Sequence, residues 1–127
     1  MQYAPVVGRV LFSAIFLMFG MAHFTDPNMV NMVPSFLPAK SAVVILTGIL
    51  IIVAGLSVLL GYKTRIGALI LFFFLMSTTL LVWLGSESPS AVPIMMRDLS
   101  LAGAALFISY FGPGPMSLDE RLAVDQE

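Results

Sequence analysis

Residues 41–62 read SAVVILTGILIIVAGLSVLLGY, with no charged side chain. At about 1.5 Å of rise per residue, a helix of this length crosses the ~30 Å hydrocarbon core of a bilayer. Working outward, three more apolar stretches of spanning length follow the same logic: roughly Pro5–Phe24, Ile66–Gly85 and Ile94–Phe111. Together the four occupy most of the 127-residue chain. The expected fold is therefore all-α, a polytopic four-transmembrane-helix bundle filling residues 1–127 as one domain. Its first partner is the lipid bilayer, where each polar group inside a span needs a physical reason.

Composition agrees. Apolar residues make up 59% of the chain and charged residues only 10%, against about 25% charged in a soluble domain; the mean hydropathy is +1.01. A net charge of −1 gives no pull toward nucleic acid or anionic headgroups. There is no cysteine, which removes thiol exchange and iron–sulfur ligation. The single histidine, His23, cannot alone supply two axial haem ligands. Nine methionines are present, but no Met-x-x-Met ladder is assigned to the face of His23, and no metal site is expected. No intrinsic cofactor is expected either. Electron traffic would need a bound small molecule such as a quinone, or a partner subunit. The first span lacks a basic residue before Arg9 and a small-x-small cleavage pattern, so it reads as a retained helix rather than a signal peptide.

The connections carry information too. Pro5 suits the first turn of helix one, and Thr25-Asp26-Pro27-Asn28 should stop that helix near Phe24. Residues 26–40 are too apolar for a free loop and too broken to span, so they read as an interfacial segment folded over the bundle mouth. Gly61–Arg65 is short enough to force an antiparallel hairpin between the second and third helices. Trp83 suits an interface. Pro93 or Ile94 should open the last long helix. Beyond Gly112-Pro113-Gly114-Pro115, Ser117-Leu118-Asp119-Glu120 has the pattern of a capping box, with a short helix over Leu118–Val124. Lys63, Arg65 and Arg121 fall on one side and Lys40 on the other. The positive-inside rule then puts both termini in the cytoplasm.

Ionisable residues inside the spans are few. On helix one, Arg9, Phe16, Gly20 and His23 lie within about 60° of one another, flanked by Phe12 and Ser13. That face should turn inward, because lipid does not reward Arg or His. The last long helix carries Asp98, Ala102, Ala105 and Ser109 on one stripe and Ser100, Gly103, Ala104 and Phe107 on another. Such stripes let helices approach closely, as do Gly48, Gly55, Gly67 and Ala68. Topology gathers His23, Arg97 and Asp98 at the outer mouth, with Phe16 and Phe19 as ring-stacking candidates. This group reads either as a ligand site or as an ion pair and a satisfied histidine that pin helices. Arg9 sits at the other end, where a structural ion pair with Asp119 is expected.

Met96–Leu106 (MRDLSLAGAAL), then Gly112-Pro113-Gly114 and Ser117-Leu118-Asp119, resemble the last helix and tail of the DoxX family. Gly8-Arg9, Gly20-Met21-Ala22-His23-Phe24, Pro27, Val33-Pro34, Leu37-Pro38, Gly48, Gly61 and Thr64-Arg65 resemble its earlier part. The resemblance implies a four-helix protein of the bacterial inner membrane, often associated with redox systems, some of them quinone-linked sulfur oxidation. One departure is plain. Many relatives carry a glutamate soon after the Thr-Gly or Ser-Gly of helix two, whereas Thr47-Gly48 is followed here by Ile49-Leu50-Ile51-Ile52.

Three functions remain open on these residues. The first is an accessory or anchoring subunit of a quinone-linked membrane assembly, with a protein partner or a second copy beside it and a quinone or lipid pocket at the outer mouth. The second is a quinone-linked oxidoreductase of the thiosulfate:quinone type, for which the chain offers no thiol. The third is a small-molecule or lipid transporter built as an oligomer, although no inverted repeat or broken helix is evident.

Overall fold

In the computed structural model, which describes residues 1–126, the chain is helical with no strand among the described residues. Helix α1 spans Ala4–Thr25, α2 Met29–Met32, α3 Lys40–Leu60, α4 Thr64–Thr78, α5 Ala91–Phe111 and α6 Leu118–Val124. The last turn of α4 widens into a π-helical stretch at Thr79–Trp83, so this span runs Thr64–Trp83. Four helices, α1, α3, extended α4 and α5, are long and apolar enough to cross a membrane.

The bundle follows chain order. α1 packs on α3, α3 on α4, and α4 on α5. Phe12 and Phe16 of α1 share the core with Ile51, Val58, Leu71, Leu75, Ala102 and Ala105. Large rings on α1 thus share the core with alanines of α5. Outward positions such as Leu11, Met18, Leu46, Val53, Phe73 and Phe107 are exposed and apolar. Such a surface suits lipid rather than water.

Glycines set the α1–α3 crossing. A Cβ at Gly48 would lie 2.8 Å from the His23 Cβ. One at Gly20 would overlap the Ile52 side chain. The expected inward face of α1 is observed, with Arg9, Phe12, Ser13, Phe16 and Gly20 buried. On α5, Asp98, Ala102 and Ala105 are buried, whereas Ser100 and Phe107 are exposed and Gly103 faces open space. The first stripe is the buried one, and of the second only Ala104 packs against the core.

α5 begins at Ala91, earlier than Pro93 or Ile94. Proline is tolerated in a first turn, where its missing N–H had no intrahelical partner. The segment between α1 and α3 is not a flat surface loop. It holds α2 and turns Val33 inward onto the bundle, while Phe36 stays exposed.

Candidate functional site

At the Arg9 end the polar groups build a clasp. The Asp119 carboxylate accepts from the Lys63 N–H at 2.7 Å, the Thr64 N–H at 3.0 Å and the Thr64 hydroxyl at 2.9 Å. It caps the start of α4 from 55 residues away. No side chain adjoining α4 in sequence does so. The Asp119 N–H in turn donates to the Gly61 carbonyl at 2.8 Å. Burial opposes ionisation of Asp119. The Thr64 and Lys63 amides, the Thr64 hydroxyl and the nearby Arg65 charge outweigh it and hold the carboxyl below its ordinary value. Ser117 caps α6 as expected, its Oγ accepting from the Glu120 N–H, while the Glu120 carboxylate reaches back one residue beyond the cap to the Met116 N–H.

Arg9 does not pair with Asp119. Its Nη2 donates to the Met116 carbonyl at 3.0 Å. Among the described residues the one ion pair is Arg97–Asp98. The tail does fold back onto helix one. The Asp119 carboxylate is instead engaged by the unsatisfied amides of α4, a stronger demand than one guanidinium. Arg9 is 5% exposed, and its Nε and Nη1 have no partner among the described residues.

Beside the clasp lies an open cleft of about 650 Å³, lined by Lys63, Arg65, Asp119 and Glu120 among others. The opposite end contains two smaller, apolar cavities. The larger, about 180 Å³, is lined by Phe19 and His23 of α1, by Met29, Met32, Val33, Pro34 and Leu37 of the α2 segment, by Val43, Val44 and Thr47 of α3, and by Phe74, Ser77, Thr78, Leu81 and Val82 of the extended α4. His23 is its one ionisable residue. The His23 Nδ1 lies 2.8 Å from the Phe19 carbonyl and donates to it. That contact selects the tautomer in which Nε2 carries the lone pair. The ring stands near Phe19 and Phe74, with centroids at 6.1 and 6.3 Å.

A second, narrower cavity of about 40 Å³ contains Arg97 and Asp98 together with Ile15, Phe16, Phe19, Phe74 and Trp83. Arg97 donates from Nε at 3.0 Å and from Nη2 at 2.8 Å to the same Asp98 oxygen. Its guanidinium lies 5.2 Å from the Phe19 ring centroid, within cation–π range. Asp98 is 3% exposed and Arg97 38%.

The expected grouping of His23 with Arg97 and Asp98 is thus divided. All lie at one end, but Phe19 and Phe74 form walls common to two adjoining cavities. Phe16 lines only the narrower one, and Phe19 lines both. Sequence reading missed Thr47, Ser77 and Thr78, whose hydroxyls look inert inside apolar helices. Met29 and Met32, expected over the bundle mouth as part of the interfacial segment, line the cavity too. This Met-x-x-Met pair does share a wall with His23, because the segment after α1 folds back over the helix end. No group of three or more His, Asp or Glu side chains that could hold a metal occurs among the described residues.

A DoxX family profile matches residues 4–84, which is α1 through the end of extended α4 and includes every residue lining the His23 cavity. The chain belongs to the DoxX family. The match stops before α5, so Arg97, Asp98 and the tail clasp lie outside it. Comparison with curated protein sequences and with solved structures returns no match. The family assignment and the four spanning helices make this DoxX protein a multi-pass membrane protein in contact with lipid.

Proposed function

We propose that this DoxX protein is an accessory subunit of a membrane redox assembly that holds a ring of the quinone or quinol class in the cavity beside His23. The observation carrying this reading is the cavity itself. Its wall is apolar and aromatic, with one imidazole and three hydroxyls, the composition of a small-molecule site. An engineered apolar cavity of about 150 Å³ accepts benzene. A volume of about 180 Å³ therefore suits one six-membered ring, with any tail leaving toward lipid. The outward stripe of α5 supports a neighbour, a partner subunit or a second copy, since Gly103 faces open space beside Ser100 and Phe107. We place the protein in a bacterial inner membrane with Lys63, Arg65 and Arg121 on the cytoplasmic side.

Photo-crosslinking in native membranes tests the reading. An azide-bearing hydroquinone should label peptides covering residues 29–37 or 74–82, unlabelled hydroquinone should compete, and mild-detergent purification should retain a stoichiometric partner. Labelling confined to the lipid-facing side of α5, with only the bare chain recovered, would overturn it.

A further inference from the structure

Every polar side chain on the wall of the His23 cavity has its protons already committed. The Thr47 hydroxyl donates to the Val43 carbonyl at 2.8 Å and lies 3.0 Å from that of Val44. Ser77 Oγ donates to the Phe73 carbonyl at 2.7 Å, and Thr78 Oγ1 to that of Phe74 at 2.8 Å. The His23 Nδ1–H donates to the Phe19 carbonyl. A hydroxyl that donates to its own helix keeps lone pairs to offer, and so does the Nε2 of a neutral imidazole. No lysine, arginine, tryptophan, asparagine or glutamine lines this cavity. In this arrangement its side chains offer lone pairs, and a hydroxyl donates to a ligand only by giving up its bond to the helix.

We infer that the cavity selects ring ligands carrying hydroxyl donors, phenols and hydroquinones, over carbonyl compounds of the same shape and over anions. A hydroxyl entering an apolar cavity must find an acceptor or lose its bonds to water. Here it finds His23 Nε2 or a Thr or Ser oxygen. A quinone carbonyl meets only lone pairs, and an anion is repelled by them. A simple cation gains little on a wall without a carboxylate. In terms of the proposed function, on which this inference rests, the bound form is the reduced ring.

The single histidine makes the test site-specific. In full-length protein in micelles, labelled with ¹⁵N-histidine, His23 gives the only imidazole signals. Hydroquinone, p-benzoquinone and 1,4-dimethoxybenzene have the same ring but two donors, two carbonyls and two ethers respectively. Titration with hydroquinone should move the Nε2 resonance saturably. Hydroquinone should bind about two- to tenfold more tightly than either analogue for each hydrogen bond made. Thr47→Val and Thr78→Val keep the shape and remove acceptors. Each should reduce that preference while leaving 1,4-dimethoxybenzene binding unchanged. Equal binding of the three rings with a saturable His23 response would overturn the donor selectivity and leave the ring site standing. No saturable response to any ring would overturn both.

Discussion

Replacing Asp119 by alanine should loosen the start of α4, although the two are 55 residues apart in sequence. The carboxylate takes three hydrogen bonds at 2.7–3.0 Å, two of them from the first amides of α4. Loss of a helix cap costs about 1 kcal/mol and up to about 2. A carboxylate at the positive end of a helix adds about 0.3–1 kcal/mol. Thr64 is fully buried, so its hydroxyl would be left without a partner. A total near 2 kcal/mol follows, about a thirtyfold change in a local opening equilibrium. Hydrogen exchange read by mass spectrometry on peptides spanning residues 61–68 measures it. Lys63 and Thr64 should exchange about thirtyfold faster in Asp119→Ala, while amides in the middle of α3 stay unchanged. Asp119→Asn, which keeps an oxygen acceptor but not the charge, should fall between.

The pH dependence has a defined sign. The folded-state carboxyl titrates below its ordinary value. Its contribution is whole above the unfolded value of about 3.9 and is lost as pH falls through the lowered one. Protection of these amides, corrected for intrinsic exchange, should decline below about pH 4 in the native protein and stay flat in Asp119→Ala. Unchanged protection at Lys63 and Thr64 in the variant would refute the clasp.

Other substitutions test the remaining contacts. Gly61 has φ +71, and an added Cβ would overlap Arg9 Nη1 and lie 2.5 Å from the Ser117 Cβ. Gly61→Ala should therefore lower stability by about 2–4 kcal/mol, combining a left-handed backbone penalty with overpacking, measured by thermal unfolding in micelles. Gly48→Ala should push α1 from α3 at about 1–3 kcal/mol and displace the lone histidine resonance, since the new Cβ would sit 2.8 Å from that of His23. The Arg97–Asp98 pair should be asymmetric. Arg97→Met strands a carboxylate that is 3% exposed, whereas Asp98→Asn leaves a guanidinium that is 38% exposed and free to reach water. We expect about 2–4 kcal/mol for the first and about 1 kcal/mol for the second in the same assay.

The features legible in the sequence were those fixed by helical phase. Arg9, Phe12, Ser13, Phe16 and Gly20 fall inside because 100° per residue gathers them on one face and lipid rejects the charge. The Ser117 box was legible because both partners lie within four residues. The partner of Arg9 was not. It depends on a positive-φ turn at Gly61, which admits the tail, and on the competing demand of the α4 amides, neither of which has a local signature. The outer group was located at the correct end. Its division into two cavities depends on where Phe19 and Phe74 stand between His23 and Arg97, which is a matter of tertiary packing. The place of Thr47 and Thr78 in the cavity wall was not legible, because a hydroxyl bonded to its own helix leaves no trace in hydropathy.

The choice made by Asp119 also separates the roles of the two ends. Paired with Arg9, its carboxylate would receive at most the parallel pair of bonds a guanidinium can give. The first amides of α4 and the buried Thr64 hydroxyl would then lack an acceptor. Capping α4 satisfies three donors at once, and the same turn brings the Met116 carbonyl to Arg9 Nη2. One carboxylate thereby organises the α3–α4 hairpin, and the tail that carries it ties the hairpin to α1. Its oxygens and the Met116 carbonyl are already engaged with the chain's own donors, so this end acts as a fastening. At the other end the account is reversed. The protons of His23, Thr47, Ser77 and Thr78 are held by backbone carbonyls, and these four residues line a cavity the chain does not fill. Free acceptors beside an apolar volume suit a ligand that brings the donors, whereas the acceptors at the tail end are spent on the chain's own amides and guanidinium.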